Sequence, residues 1–159
     1  MSHVVAVPHS PVKRGEQVPP GASPTDTTAV EFRYTQTESF VAVLQQLGAS
    51  LAVTTYQANK LLVARVAGGG LSMLVRTFDR PMGLAVADGR LALGCREQMW
   101  EFRSAPAIAP LVEPAGQHDA CFIPRTSHVT GDMCVHELAW AGDELWMVNT
   151  RFSCLCSLN

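Results

Sequence analysis

The stretch GLAVADGRLALGCREQMWEF, residues 83–102, alternates between apolar residues and small or polar ones around Asp88-Gly89. A period of two is typical of β-strands, and Asp-Gly is a preferred turn of tight hairpins. The pattern returns 54 residues later in ELAWAGDELWMVNTRFSCLCSL, residues 137–158, where Gly142-Asp143 takes the turn. The stretch therefore predicts an antiparallel hairpin that the chain uses at least twice.

A shorter match, SLAVTTYQANKLLVARV at residues 50–66, adds a third copy. Its Leu51 aligns with Leu91 and Leu145, so the copies lie 40 and 54 residues apart. A repeat of ~40–50 residues built of short antiparallel strands is typical of β-propeller blades. A generic β-meander, whose strands resemble each other because all of them alternate, is the alternative. We predict an all-β fold, a partial β-propeller of two to three blades of antiparallel strands.

A short helix is predicted before the repeats, because apolar residues recur at helical spacing at Phe40, Val43, Leu44 and Leu47. Thr35 and Glu38 match a capping box at its start, and Gly48 is a natural C-terminal stop. Residues 1–34 contain five prolines and almost no large apolar residue, which predicts a disordered Pro-rich tail. Residues 35–159 would then form the N-terminal part of a propeller domain.

The composition is that of a globular domain, with 47% hydrophobic and 16% charged residues and a formal charge of −2. Nucleic acid is not an expected partner, because the chain has no basic stripe. A membrane is not expected either, since no apolar run approaches the ~20 residues of a spanning helix. The first residues lack the apolar core of a signal peptide, so we expect a cytoplasmic protein whose five cysteines stay reduced.

The number of repeats is small for a propeller. Closed propellers contain about four to eight blades, whereas the repeats account for two blades and the start of a third. An open propeller would leave strand edges and blade faces bare. We therefore expect the remaining blades in a longer chain, of which this one is an N-terminal fragment, or in another subunit.

The two repeat spacings differ by 14 residues, and the extra length must lie between Phe102 and Val135. This interval holds HDACFIPRTSHVTGDMCVHE, residues 118–137, the part of the chain that is densest in groups that bind metals or move protons. Insertions in repeat proteins map to loops on one face, often the binding face. The stretch is therefore predicted to be an insertion loop that binds a ligand or a partner.

The candidate ligand-binding residues carry imidazole, carboxylate, amide or guanidinium groups: His118, Asp119, Arg125, His128, Asp132, His136, Glu137, Asn149 and Arg151. A metal site, with calcium or zinc held by His118, Asp119 and Glu137, is one possibility. The spacings match no known metal motif, so turns and backbone hydrogen bonds of these side chains are the alternative. The arginines could bind an anion or make surface ion pairs. On an innermost strand, Glu137 would point near a central channel.

From about Phe40 to its end the chain resembles an uncharacterised bacterial family, the domain of unknown function 4915. The motifs that carry the resemblance are LGASLAVTTYQANKL, RPMGLAV, LALGCREQMWEF, HDACFIPRTSHVTGDMCVHELAW and LWMVNTRFSCL. The resemblance implies a propeller-like fold in a protein longer than this chain, and it implies no established activity.

Two functions are open on this basis. The first is a module that binds an unknown small molecule or protein through residues 118–137. The second is a metal-assisted hydrolase similar to gluconolactonases and calcium-dependent phosphotriesterases, in which carboxylates hold a divalent ion. One observation distinguishes these two functions. The hydrolase requires Glu137, Asp119 and a histidine to converge on one metal ion, and the binding module does not.

Overall fold

The computed structural model describes residues 33–87 and 89–158, which form one α-helix, a short 3₁₀ helix and three antiparallel sheets. The predicted tail, residues 1–34, lies outside the described residues except for its last two. The helix is α1 (Glu38–Leu47). The strands are β1 (Leu51–Thr55), β2 (Lys60–Ala67), β3 (Gly70–Thr77), β4 (Leu84–Ala87), β5 (Arg90–Gly94), β6 (Gln98–Ser104), β7 (Phe122–Val129), β8 (Val135–Ala141), β9 (Glu144–Asn149) and β10 (Cys154–Leu158).

Each sheet is a meander of consecutive strands. Sheet A has the order β1-β2-β3, sheet B the order β4-β5-β6-β7, and sheet C the order β10-β9-β8. The all-β prediction is therefore confirmed, and each of the three repeated segments contains at least one hairpin. Within the described residues, no helix is long and apolar enough to cross a membrane.

Residues that align between the second and third copies have equivalent partners across their hairpins. Val86 pairs with Leu91 in sheet B, and the equivalent Trp140 pairs with Leu145 in sheet C. The turn glycine Gly89 has φ of 72°. Glycine reaches such left-handed values without steric cost, so it suits a tight turn between two strands.

Sheet B lies between sheets A and C and has both faces covered. All five residues of β5 are buried, which is unusual for alternating strands and follows from this double coverage. On one side, Leu91 and Leu93 pack with residues of sheet A that include Leu61. On the other side, Ala92 packs with residues of sheet C that include Leu145.

Sheets B and C approach closely where sheet B carries small residues. A Cβ atom added to Gly94 would lie 2.7 Å from Cγ1 of Val135, and one added to Gly83 would lie 3.0 Å from Cγ of Leu138. Cβ contacts as short as 2.7 Å do not occur in relaxed cores, and contacts of 3.0 Å are rare. The face of sheet B that carries Gly83, Ala85 and Gly94 is therefore the face on which β8 packs.

The helix starts two residues later than the capping box predicted. Its N-cap is Thr37, whose hydroxyl accepts a hydrogen bond from the Phe40 amide at 3.3 Å, so the assignment of Thr35 as the cap was wrong. Both threonines satisfy the rule for an N-cap residue, and only the backbone conformation selects one of them. Gly48 ends the helix in the left-handed conformation, as predicted.

The predicted insertion loop, residues 118–137, is not one loop. Residues 122–129 form β7, the outermost strand of sheet B, and the extra length lies before it, between β6 and β7, where it includes a 3₁₀ helix at Ala109–Leu111. The sequence hid this strand because four of its central residues are exposed and polar or proline, as suits an edge strand.

Candidate ligand-binding cleft

The loops that connect the strands gather at two ends of the molecule. In antiparallel meanders successive connections alternate between the ends. The connections β1–β2, β3–β4, β5–β6, β7–β8 and β9–β10 share one end, which we call the cleft end. Backbone hydrogen bonds tie these connections together, for example from the Arg96 amide to the Asp79 carbonyl at 3.1 Å and from the Thr130 amide to the Glu97 carbonyl at 2.9 Å.

A cleft of about 560 Å³ opens at this end. Its walls come from strands of sheets A and C and from the connections between strands, and they are lined by Thr54, Tyr56, Pro81, Met82, Cys134, His136, Glu137 and Thr150. Such a volume lies within the range of small-molecule sites, which are commonly a few hundred Å³ or more.

Two threonines hold the walls of the cleft in place. The Thr54 hydroxyl donates to the Met82 carbonyl at 2.7 Å, and the Thr150 hydroxyl donates to the Cys134 carbonyl at 2.7 Å. The first bond joins sheet A to the segment before β4, and the second joins the β9–β10 loop to the segment before β8. Because these bonds tie the connecting segments to sheet A and to each other, they hold the cleft walls in position.

An aromatic ring and a cation stand together at the sheet A side of the cleft. The Arg80 guanidinium lies 5.5 Å from the centre of the Tyr56 ring and donates to the Tyr56 hydroxyl at 3.3 Å. The Arg80 backbone has a positive φ of 46° and its amide donates to the Asn59 side chain at 2.9 Å. The stacking orients the Tyr56 ring, which is 41% exposed.

His136 and Glu137 present the polar groups of the cleft. Nδ1 of His136 lies 3.6 Å from Oε1 of Glu137, and their side chains are 57% and 70% exposed. Both groups keep hydrogen-bonding capacity toward a molecule in the cleft: the carboxylate accepts, and the imidazole donates or accepts according to its tautomer. Of the nine predicted site residues, these two line the cleft.

Three side chains beside the cleft donate hydrogen bonds to the Asp132 carboxylate. It accepts from Arg96 at 3.2 Å, from the Cys134 thiol at 3.2 Å and from Arg151. The hydrogen bonds from Cys134 and Arg96 and the charges of Arg151 and Arg96 lower the pKa of Asp132. The arrangement connects loops of sheets B and C, and it occupies both Asp132 and Arg151, two of the predicted ligand-binding residues.

His118 anchors the segment between β6 and β7 to sheet A at the opposite end. Its Nδ1 accepts from Nη1 of Arg65 at 2.5 Å, and its Nε2 donates to the Glu113 carbonyl at 3.3 Å. His118 is buried, with 8% of its surface exposed. Since both ring nitrogens have partners, the imidazole has no lone pair to offer a metal in this arrangement. Asp119 is exposed beside it.

The remaining predicted residues lie on strands or turns. His128 pairs with Glu101 across β6 and β7, with Nε2 and Oε1 3.2 Å apart. Arg125 is exposed on the same outer strand. Asn149 is buried and accepts from the Phe152 amide at 3.1 Å, which shapes the β9–β10 turn. None of these three lines the cleft.

The predicted metal ligands are not brought together. His118 and Asp119 precede β7, whereas Glu137 follows it, and an eight-residue strand spans roughly 25 Å. Among residues 33–87 and 89–158, no group of three or more histidine, cysteine, aspartate or glutamate side chains has the geometry to hold a metal ion. The prediction that His118, Asp119 and Glu137 form one metal site is therefore wrong: His118 and Asp119 lie at one end of the sheets, and Glu137 lies at the other.

Sequence reasoning missed most of the cleft wall because it followed the density of ionisable groups. The repeat itself carried a better signal. Tyr56 and Thr150 occupy equivalent positions, 94 residues apart, directly after β1 and β9. Equivalent positions of stacked sheets meet at the same end, so the residues after these strands were candidates for one site.

The comparison with known families gives one match, and it covers most of the described residues. A family described as a domain of unknown function (DUF4915) matches residues 38–159, which includes α1 and every strand. No curated protein matches the chain, and no solved structure matches it. The match covers more than half of the chain, and the protein therefore belongs to the DUF4915 family.

Proposed function

We propose that this domain is a ligand-binding module of the β-propeller type, in which sheets A, B and C are consecutive blades and the cleft is the binding site. Two observations support the blade arrangement: the sheets are antiparallel meanders, and they stack face to face in chain order. A cytoplasmic location is part of the proposal. It is supported by the five cysteines, all of which are free thiols.

The observation that carries the proposal is the composition of the cleft. Its walls come from sheets A and C and from the connection that leads to sheet B, and the Thr54 and Thr150 hydrogen bonds hold them, while the His136 and Glu137 side chains remain exposed. Small-molecule sites combine apolar walls with a few polar groups that fix orientation. Tyr56 and Met82 provide the apolar wall here.

The ligand that fits this cleft is a small polar molecule. It would carry hydrogen-bond donors for the Glu137 carboxylate and a flat or aliphatic face for the Tyr56 ring. This moves the binding function from residues 118–137 as a whole to the last two of them, His136 and Glu137, together with residues of the other sheets.

A ligand-observed NMR screen tests the proposal. The probes are a fragment library that includes sugars, polyols and cyclic amines, and we expect hits whose signals depend on the cleft. Tyr56→Ala and Glu137→Gln should each weaken a hit at least about tenfold, which corresponds to the loss of one stacked ring or one charged hydrogen bond. Arg125→Ala, on the outer strand, is the matched control and should leave binding unchanged. Hits that persist in both cleft variants would show that the ligand binds elsewhere.

The hydrolase alternative receives no support from the geometry. It requires carboxylate and imidazole ligands around one divalent ion. His118 and Asp119 lie at the end opposite Glu137, and His118 has both nitrogens engaged. We therefore keep the binding module as the proposed function.

A further inference from the structure

Two cysteines of β10 lie side by side on one face of sheet C. Cys154 and Cys156 are two residues apart in the strand, so their side chains project to the same face. Their Sγ atoms are 3.7 Å apart, and both are free thiols. A metal–thiolate bond is about 2.3 Å long, so two thiolates that bind one tetrahedral or trigonal ion lie roughly 3.8–4.0 Å apart. The two sulfur atoms are therefore already close to the spacing that one metal ion requires.

A methionine faces this pair of cysteines from the neighbouring strand. Cys156 lies directly opposite Met147 in the register of β9 and β10. Directly opposite residues of an antiparallel pair point to the same face, with Cβ atoms about 4.5–5.5 Å apart. Thioether sulfur, like thiolate sulfur, is a ligand that soft metal ions prefer. One strand pair therefore offers two thiols and one thioether on a single face.

The surroundings of these three residues are also rich in sulfur and include a hydrogen-bond donor. Cys156 packs against the apolar cluster between sheets B and C, which contains Met99, Met133 and Met147, three of the six methionines of the chain. Nδ2 of the buried Asn149 donates to Sγ of Cys156 at 4.0 Å. Hydrogen bonds to ligand atoms orient them for a metal ion. The face thus combines soft ligands with a group that fixes one of them.

We propose that Cys154, Cys156 and Met147 form a binding site for Cu(I), a soft ion that thiolate and thioether ligands select. Zinc also binds thiolates, but its protein sites take three or four ligands from cysteine, histidine and carboxylate side chains. In the described part of the chain, no third residue of these types joins the pair to hold a metal ion. The thioether therefore favours Cu(I) over Zn(II). None of the three residues lines the cleft, so this site goes beyond the proposed binding function.

The three ligand residues differ in their access to solvent. Cys154 is exposed, Cys156 is half-buried and Met147 is 3% exposed. An ion can therefore reach the Cys154 thiol first and bind the inner sulfur atoms next. Each coordinating thiol releases its proton to solvent when the metal binds, and the copper remains Cu(I) throughout. Binding is thus an exchange of protons for the metal ion, with no oxidation or reduction.

A competition titration on the whole chain without oxygen tests the site. Cu(I), kept reduced by ascorbate, is shared between the protein and an excess of a chromogenic Cu(I) chelator, and we expect one ion per chain with the ultraviolet absorption of Cu(I)–thiolate bonds. Cys154→Ser should weaken binding at least about a hundredfold, since even the loss of a hydrogen-bond partner of a metal ligand costs about 10–100-fold. Cys154 is exposed, so this variant should fold. Cys134→Ser removes one half-buried thiol elsewhere and is the matched control, with unchanged Cu(I) affinity.

The thioether is tested by a second pair of variants. Met147→Leu keeps the side-chain volume and should weaken Cu(I) binding about tenfold while the thiolate absorption remains. Met73→Leu, on β3 of sheet A, is its control and should change nothing. If Met147→Leu does not fold by circular dichroism, X-ray absorption at the copper edge of the wild type decides, and it should show three sulfur neighbours.

Four results would overturn the proposal. The chelator could remove all copper from the wild type, or Cys154→Ser could leave the affinity unchanged. Equimolar Zn(II) could displace Cu(I), which would make the site a zinc site. An unchanged affinity in Met147→Leu, or a copper ion with only two sulfur neighbours, would exclude the thioether as a ligand and with it the reason for Cu(I).

Discussion

At the scale of single residues, glycine and alanine set the distance between sheets B and C. Gly94 lies in the fully buried strand β5, and Val135 of the neighbouring sheet occupies the space where a side chain would begin. Interiors are packed closely enough that one methyl group must displace its neighbours. The choice of glycine at this position is thus explained by the opposing sheet and not by its own strand.

Gly94→Ala should destabilise the protein by about 1–3 kcal/mol, the usual cost of overpacking a core. Gly70→Ala is the matched control, because a Cβ at Gly70 meets no atom within 4 Å. We expect no loss of stability there. Urea denaturation of both variants measures the difference, and equal midpoints would contradict the predicted close approach of the sheets.

At the scale of elements, the ends of α1 are determined by local hydrogen bonds. Thr37 and Gly48 satisfy backbone groups that the helix leaves without partners. Its apolar stripe is only partly used: Leu44 is buried, while Val43 and Leu47 are 49% and 67% exposed. A short helix with so little burial depends on its caps more than a core helix does.

Thr37→Ala should therefore lower the free energy of unfolding of α1 by about 0.5–2 kcal/mol, the typical loss of an N-cap side chain. Thr35→Ala removes the same atoms two residues earlier and should have no measurable effect. Amide hydrogen exchange of residues 38–47 reports on the helix directly. Faster exchange in the Thr35 variant than in the Thr37 variant would show that Thr35 is the N-cap, as the sequence motif indicated.

At the scale of the whole molecule, sheets B and C are joined by apolar packing and by the Asp132 ion pairs. Arg96 comes from the β5–β6 loop, Asp132 from the β7–β8 loop and Arg151 from the β9–β10 loop. One carboxylate therefore contacts all three loops at the cleft end, in addition to backbone hydrogen bonds such as the one from the Thr130 amide to the Glu97 carbonyl.

The lowered pKa of Asp132 makes this connection sensitive to acid. A carboxyl group whose pKa is depressed on folding contributes stability that is present above its unfolded value, near 3.8, and is lost as the pH falls through the lower folded value. The melting temperature of Asp132→Asn should lie below that of the wild type at pH 7, and the difference should shrink toward pH 3. A difference that is constant with pH would exclude the ionised carboxylate as its cause.

The sequence by itself determined the strands of the three repeated segments, their hairpin register and the end of the helix. Alternation, turn glycines and Gly48 act within a few residues, so Val86 had to face Leu91 and Trp140 had to face Leu145 once the turns formed. Only the tertiary structure decided what lies between distant residues. It made residues 122–129 an edge strand. The backbone of this strand pairs with β6, and its polar side chains gave no sign of that pairing in the sequence. The tertiary structure also separated His118 from Glu137 and brought Tyr56 and His136 to one cleft, since stacking of the sheets, and not position along the chain, determines which loops share an end.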